Sequence, residues 1–183
     1  VFCTGRDEFS GGNLHTSFKL TQTKPEEILI SDAGGILMDQ IQMIPCQLGH
    51  SRGRTTDGAS TWSLFTSPTF GASNTNAKQE YATKPLFDIA SGIQGGNISL
   101  TISSPDASVS LYYTNNGSTP TAASTPVSGA IALSTNTVIR SISISSDPNI
   151  PPSFIETNTY FFNISHSMRI LSICGNQVTD FIN

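Results

Sequence analysis

Charge is what this chain has least of: Asp, Glu, Lys and Arg together make up 12% of its 183 residues. The nine basic residues are scattered and the formal net charge is −4, so there is no positive patch for a phosphate backbone and nucleic acid is not expected as a partner. Long apolar runs are also missing. None approaches the roughly 20 residues that a membrane-spanning helix requires, and no membrane insertion is expected. No heptad or extended helical period occurs. The three cysteines, Cys3, Cys46 and Cys174, lie far apart with no pair at metal-ligand spacing, which speaks against a zinc site. An odd count leaves at least one thiol outside any disulfide within a monomer, and all three read as small buried apolar side chains.

The residue types of catalysis are present but not in catalytic patterns. His15, His50 and His166 have no His-x-x-x-His or Glu-containing metal motif beside them. Ser51 lies in Ser-Arg-Gly-Arg, not in the Gly-x-Ser-x-Gly of a nucleophile elbow. Of the thirteen carboxylates, none can be placed opposite another as glycoside cleavage requires. The expectation is a protein that is not an enzyme and carries no cofactor and no metal.

Hydrophobic residues amount to 37%, and Ser, Thr, Asn and Gly fill much of the remainder, the look of an extracellular all-β protein. A compact chain of this length buries about 70% of its unfolded surface, enough for one large domain or two small ones. In the first part, Ser17 to Leu20 alternates, and Ile28-Leu29-Ile30 and Ile36 to Ile44 flank a turn at Asp32 to Gly35, predicting a hairpin that Pro45 ends. Trp62 to Phe65 reads as a further strand. Residues 77–85 read as a polar linker. Beyond it come an opening strand at Leu86 to Ile89, a glycine turn at Gly92 to Gly96, and three inward sets: Ile98, Leu100 and Ile102; Val109, Leu111 and Tyr113; Ile131 and Leu133. Val138, Ile142 and Ile144 share a face with Arg140, and Phe154 to Phe162 forms the last strand. Strands at this spacing predict a sandwich.

The strongest local signal is Leu111-Tyr112-Tyr113-Thr114-Asn115-Asn116-Gly117-Ser118-Thr119-Pro120. Asn116-Gly117 supplies residues that tolerate positive φ in a tight two-residue hairpin turn, and Pro120 stops the ladder. This run resembles the Tyr-Thr-x-Asp-Gly-Ser-x-Pro signature of the chitobiase/β-hexosaminidase C-terminal domain family, with Asn116 in place of the Asp. Ser128 to Ile131, Thr137 to Ser141 and Glu156 to Tyr160 resemble its later landmarks. The resemblance implies an immunoglobulin-like β-sandwich over residues 86–163, appended to catalytic domains without an active site of its own.

In residues 1–76, His15 to Leu20, Glu27 to Gly35, Ser51 to Gly58, Trp62 and Pro68 to Asn74 resemble the second half of a lamin-tail domain of bacterial surface proteins. The opening strands of that family would precede Val1, so the chain, whose first residue is not an initiator Met, reads as a fragment with an incomplete first module. Residues 164–183 resemble the approach to a further module of the spore-coat-protein-H type, with a strand at Ile170 to Ile173.

The fold class expected is therefore all-β, two immunoglobulin-like sandwich modules in tandem. The function implied is that of spacer and interaction modules in a larger secreted or cell-surface bacterial protein, with adjoining domains and polysaccharide as partners. The alternatives are a carbohydrate-binding accessory module of a polysaccharide-degrading enzyme, and an accessory to a kinase-like domain beyond Asn183. Tyr112, Trp62 and Arg52 are the candidate ligand-binding residues, because aromatic faces stack on sugar rings and a guanidinium pairs with anions. Two of them also have a plainer reading, Trp62 as core, and Arg52 with Arg54 as a loop salt-bridged to Asp57, while alternation leaves Tyr112 on the face away from Val109, Leu111 and Tyr113.

Overall fold

A computed structural model describes residues 2–4, 9–10, 13–21, 24–164 and 172–173. Sixteen strands and no helix occur among them. The chain divides into two units, Val1–Gln79 and Glu80–Asn183.

In the first unit, β1 (Phe2–Thr4), β2 (Phe9–Ser10) and β3 (Asn13–Thr16) form a sheet of order β1-β3-β2. β3 stops before the alternation expected at Ser17 to Leu20, because the Thr16 hydroxyl donates to the Phe18 carbonyl at 3.0 Å and closes a local turn. β4 (Glu26–Ser31) and β5 (Leu37–Met43) make the expected hairpin. Asp32 Oδ1 accepts from the backbone N–H of Gly34 at 2.9 Å and of Ile36 at 2.8 Å, and Gly35 takes a φ of +84°. β6 (Ser51–Arg54) pairs antiparallel with β7 (Trp62–Phe65), which supplies the buried Leu64 and Phe65. Gly53 stands in β6 because a Cβ there would lie 2.9 Å from the amide nitrogen of Asn74, which donates to the Arg54 carbonyl at 2.8 Å.

The second unit is a two-layer sandwich. One layer is a five-stranded sheet of order β13-β12-β15-β16-β9, made of β9 (Gly92–Gln94), β12 (Val109–Thr114), β13 (Thr125–Pro126), β15 (Thr137–Ser145) and β16 (Glu156–Phe162). The other holds two pairs, β8 (Leu86–Phe87) with β11 (Ile102–Ser103) and β10 (Ile98–Leu100) with β14 (Ile131–Leu133). Between the layers lie Leu100, Ile102 and Leu133 from the pairs and Ile139, Tyr160 and Phe162 from the large sheet. Pairing passes from β10 to β11 at Thr101, whose N–H donates to the Asp88 carboxylate at 2.8 Å.

Three features depart from the sequence reading. Gly92 to Gly96 is not merely a turn: β9 runs parallel to β16, with Gly92 opposite Tyr160. Asn116-Gly117 does not close a two-residue hairpin, since β12 pairs with β13 at Tyr113 opposite Thr125 and Tyr112 opposite Pro126, with residues 115–124 between the strands. Ile142 is buried on the face it shares with Val138 and Ile144, but the β15 residue in the core cluster is Ile139, on the opposite face. Its partners on that face are Ser141 and Ser143, both buried, and the Ser141 hydroxyl is satisfied by donating to the Tyr112 carbonyl at 2.9 Å. Residues 77–85, read as a linker, contain the division between the units: Lys78 N–H donates to the Leu64 carbonyl at 2.7 Å in the first, and in the second Ala82 N–H donates to the Pro151 carbonyl at 2.9 Å and Lys84 pairs with Glu156. The strand expected at Ile170 to Ile173 falls largely outside the described residues, as do His166 and Cys174.

Tyr160 is fully buried and its hydroxyl donates to the Ile89 carbonyl at 2.8 Å. Burial raises its pKa above the ordinary value, against a hydrogen bond from Asn158 that lowers it. A raised pKa means a contribution to stability that is complete below about pH 10 and is lost as pH rises through the folded-state value. Tyr160→Phe is expected to lower stability at pH 7 by about 1 kcal/mol and to abolish this part of the alkaline loss, read by urea unfolding at a series of pH values. All four tyrosines, Tyr81, Tyr112, Tyr113 and Tyr160, lie in this unit, so their near-ultraviolet signal reports its unfolding. By the same signal Leu100→Ala is expected to lose about 2–5 kcal/mol. Ile93→Ala, at a side chain 49% exposed, is expected to change stability by less than about 0.5 kcal/mol.

Candidate functional site

The loop that follows β12 is built from the residues of the sequence signature, and each has an internal task. The Thr114 hydroxyl donates to the Ser118 carbonyl at 2.7 Å, closing the loop across its base. Asn116 Oδ1 accepts from Ser118 N–H at 3.1 Å and from the Ser118 hydroxyl at 2.7 Å, the Asx-turn geometry that short polar side chains favour. Gly117 takes a φ of +80°, where a Cβ would be strained. Pro120 is buried. From the neighbouring β15, Arg140 reaches in and donates through Nη1 to the Gly117 carbonyl at 3.0 Å and to Thr119 Oγ1 at 3.3 Å. The polar side chains of the signature thus hold the loop to the sheet.

Tyr112 stands one residue from this loop's base, opposite Pro126 on one side and Ile142 on the other. It is half-buried, and alternation puts it on the face away from Leu111 and Tyr113, which pack against the core. The unit's tyrosines do not form a flat row: Tyr113 and Tyr160 are turned into the core, and Tyr81 meets Phe154 edge-on with ring centroids 4.9 Å apart.

Trp62 and Arg52 lie in the first unit. Trp62 is 39% exposed and is not the core residue its apolar neighbours suggest. It opens β7 opposite Arg54, beside the connecting turn, while Leu64 and Phe65 further along fill the interior. The Arg54 guanidinium carbon sits 5.4 Å from the Trp62 ring centroid, within the range of a cation–π contact. Arg54 is itself fixed by Asp39 on β5, with Nη2 donating to Oδ2 at 2.7 Å, and by the Ala59 carbonyl. The carboxylate that meets this arginine is therefore Asp39, not the expected Asp57. Asp57 instead accepts from Asn74 N–H at 3.3 Å. Arg52 is half-buried and donates through Nε to the Ile44 carbonyl at 3.2 Å. Asp39, fifteen residues from Arg54, carried no signal in the sequence that would have drawn it to this cluster.

Trp62, Arg54 and Asp39 make an exposed aromatic face flanked by a cation and an anion, an arrangement able to stack on a ring and hydrogen-bond its substituents. The Arg54 hydrogen bond holds the Asp39 carboxyl below its ordinary pKa of 3.8, with burial opposing. A depressed value means stability present above the unfolded pKa and lost as pH falls through the folded one. Trp62 fluorescence, the chain's one indole signal, is expected to be flat from neutral pH to about 4 and to change below it. In Asp39→Asn the fluorescence at neutral pH is expected to resemble the acid form of the parent and the acid transition is expected to shrink.

Residues 89–152 match the model of the Chitobiase/beta-hexosaminidase C-terminal domain family. No curated protein and no solved structure gives a significant match to the chain. The matched span begins at Ile89, whose carbonyl Tyr160 holds, and includes β9 through β15 with the loop that Arg140 pins. Over residues 89–152 the second unit is thus similar to an immunoglobulin-like domain that serves as an accessory module of glycoside hydrolases.

Proposed function

We propose that the chain is a non-catalytic structural and interaction part of a larger secreted or cell-surface bacterial protein, with the second unit spacing its neighbouring domains. The observation that supports this reading most directly is the fate of the signature. Thr114, Asn116, Ser118 and Arg140 hydrogen-bond within the loop or to it, so the most distinctive polar residues serve the fold. A sandwich whose specific features are self-satisfied suits a module whose task is to keep its shape. The match to a family of accessory modules favours the same reading. The first unit enters the proposal as a lamin-tail-like module, on the residues quoted between His15 and Asn74.

A second reading, a carbohydrate-binding accessory module, is favoured by the exposed Trp62 held beside Arg54 and Asp39 and by the outward side of Tyr112. Affinity electrophoresis of the chain in gels containing soluble polysaccharides, with pull-down on insoluble ones, separates the two. For the spacer, mobility is expected to be the same in every gel, and Tyr112→Ala and Trp62→Ala are expected to behave as the parent does. Retardation by one glycan that either variant loses would replace the spacer with a binding module and locate its site.

A further inference from the structure

Asn116 and Gly117 form the chain's single Asn-Gly pair, and the loop around them has two features that bear on its chemistry. Asn116 is exposed, and two donors converge on its Oδ1, the Ser118 N–H at 3.1 Å and the Ser118 hydroxyl at 2.7 Å. They draw electron density toward the oxygen and leave Cγ more electrophilic. Gly117 follows with no Cβ to shield its nitrogen. On the β15 side, the guanidinium of Arg140 makes hydrogen bonds, among the described residues, only to neutral oxygens, the Gly117 carbonyl and Thr119 Oγ1, and its Nε is buried with no acceptor among them. A partly buried cation with neutral partners alone is undercompensated, and an anion beside it would be stabilised.

We infer that Asn116 is a site of spontaneous deamidation, and that the carboxylate formed supplies the negative charge that the Arg140-pinned loop lacks. The Gly117 backbone nitrogen attacks Asn116 Cγ. The new C–N bond closes a succinimide as the Cγ–Nδ2 bond breaks, and Nδ2 leaves as ammonia with the proton that Gly117 gives up. Water then adds at the Cγ carbonyl and reopens the bond to Gly117, which restores the normal backbone with Asp at position 116. One water is consumed, one ammonia is released, and the net charge falls by one. The carboxylate keeps both Ser118 donors. Opening at the other carbonyl would give isoaspartate, which lengthens the main chain and disrupts the Thr114 to Ser118 closure and the Arg140 contact to Gly117. The folded loop therefore favours Asp as the product.

The test is to hold the intact chain in mildly alkaline buffer and follow it by intact mass, peptide mapping and an isoaspartate-specific methylation assay. Asn116→Gln and Asn116→Asp are run in parallel. The expected result is a gain of one mass unit that maps to Asn116 before any other Asn, is absent in Asn116→Gln, and yields Asp in excess over isoaspartate. Asn116→Asp is expected to raise the urea midpoint of the tyrosine signal, by an amount that shrinks in high salt. The inference is overturned if another Asn converts first, if isoaspartate predominates, or if Asn116→Asp has the lower midpoint. The mapping of the parent chain decides the first two points even if a variant does not fold.

Discussion

One buried phenol gathers the second unit. Tyr160 lies in the last strand, its ring fills the space between layers, and its hydroxyl donates to a carbonyl 71 residues earlier at Ile89. Asn158, two residues before it, donates to the same carbonyl at 3.3 Å and to the Tyr160 oxygen at 3.2 Å. In register, Tyr160 also stands between Thr137 on β15 and Gly92 on β9. Opening segment, central strand and closing strand thus meet at one side chain. The hydrogen bond alone contributes about 1 kcal/mol net, but leaving the hydroxyl or the carbonyl unmet in that setting would cost about 1–3 kcal/mol, so the geometry is strongly selected.

The loop after β12 obeys the same requirement at the edge of the sheet. Backbone carbonyls at Gly117 and Ser118 face away from any ladder partner, and side chains of Arg140 and Thr114 satisfy them. This explains why a run of polar residues is specific in type and spacing: each meets a backbone group that the sheet leaves unpaired. In the first unit the same kind of pairing, Arg54 with Asp39, places a guanidinium against the partly exposed Trp62 and holds the indole in one orientation.

Much of the second unit was legible. Ile98, Leu100 and Ile102, the Ile131 and Leu133 pair, and the aromatics Tyr160 and Phe162 all pack at or in the core, because alternation of apolar and small polar residues is a direct record of a half-buried strand. The β4–β5 hairpin was legible for a similar reason, since Asp32 to Gly35 carries its own turn chemistry. β15 misled in part because Ile139 shares its face with the buried Ser141 and Ser143: a hydroxyl satisfied by the backbone, as that of Ser141 is, can line an interior, and polarity alone then hides that face. Trp62 misled in the opposite direction, because a short apolar run does not reveal where along a strand the core ends. The candidate site was partly legible: Trp62 and the arginines of β6 drew attention, but Asp39 did not.

By itself the sequence determined the β class, the Asp32 to Gly35 turn and which unit bears the family's pattern, since these depend on residue type and on spacing within a few neighbours. The tertiary structure alone decided which partner each polar side chain meets. Arg54 chose Asp39 over Asp57, Arg140 took the Gly117 carbonyl, and Asn74 reached past Gly53 to the Arg54 carbonyl. Those pairings require strands that are distant in sequence to be brought side by side, and only the burial of the core sets that register.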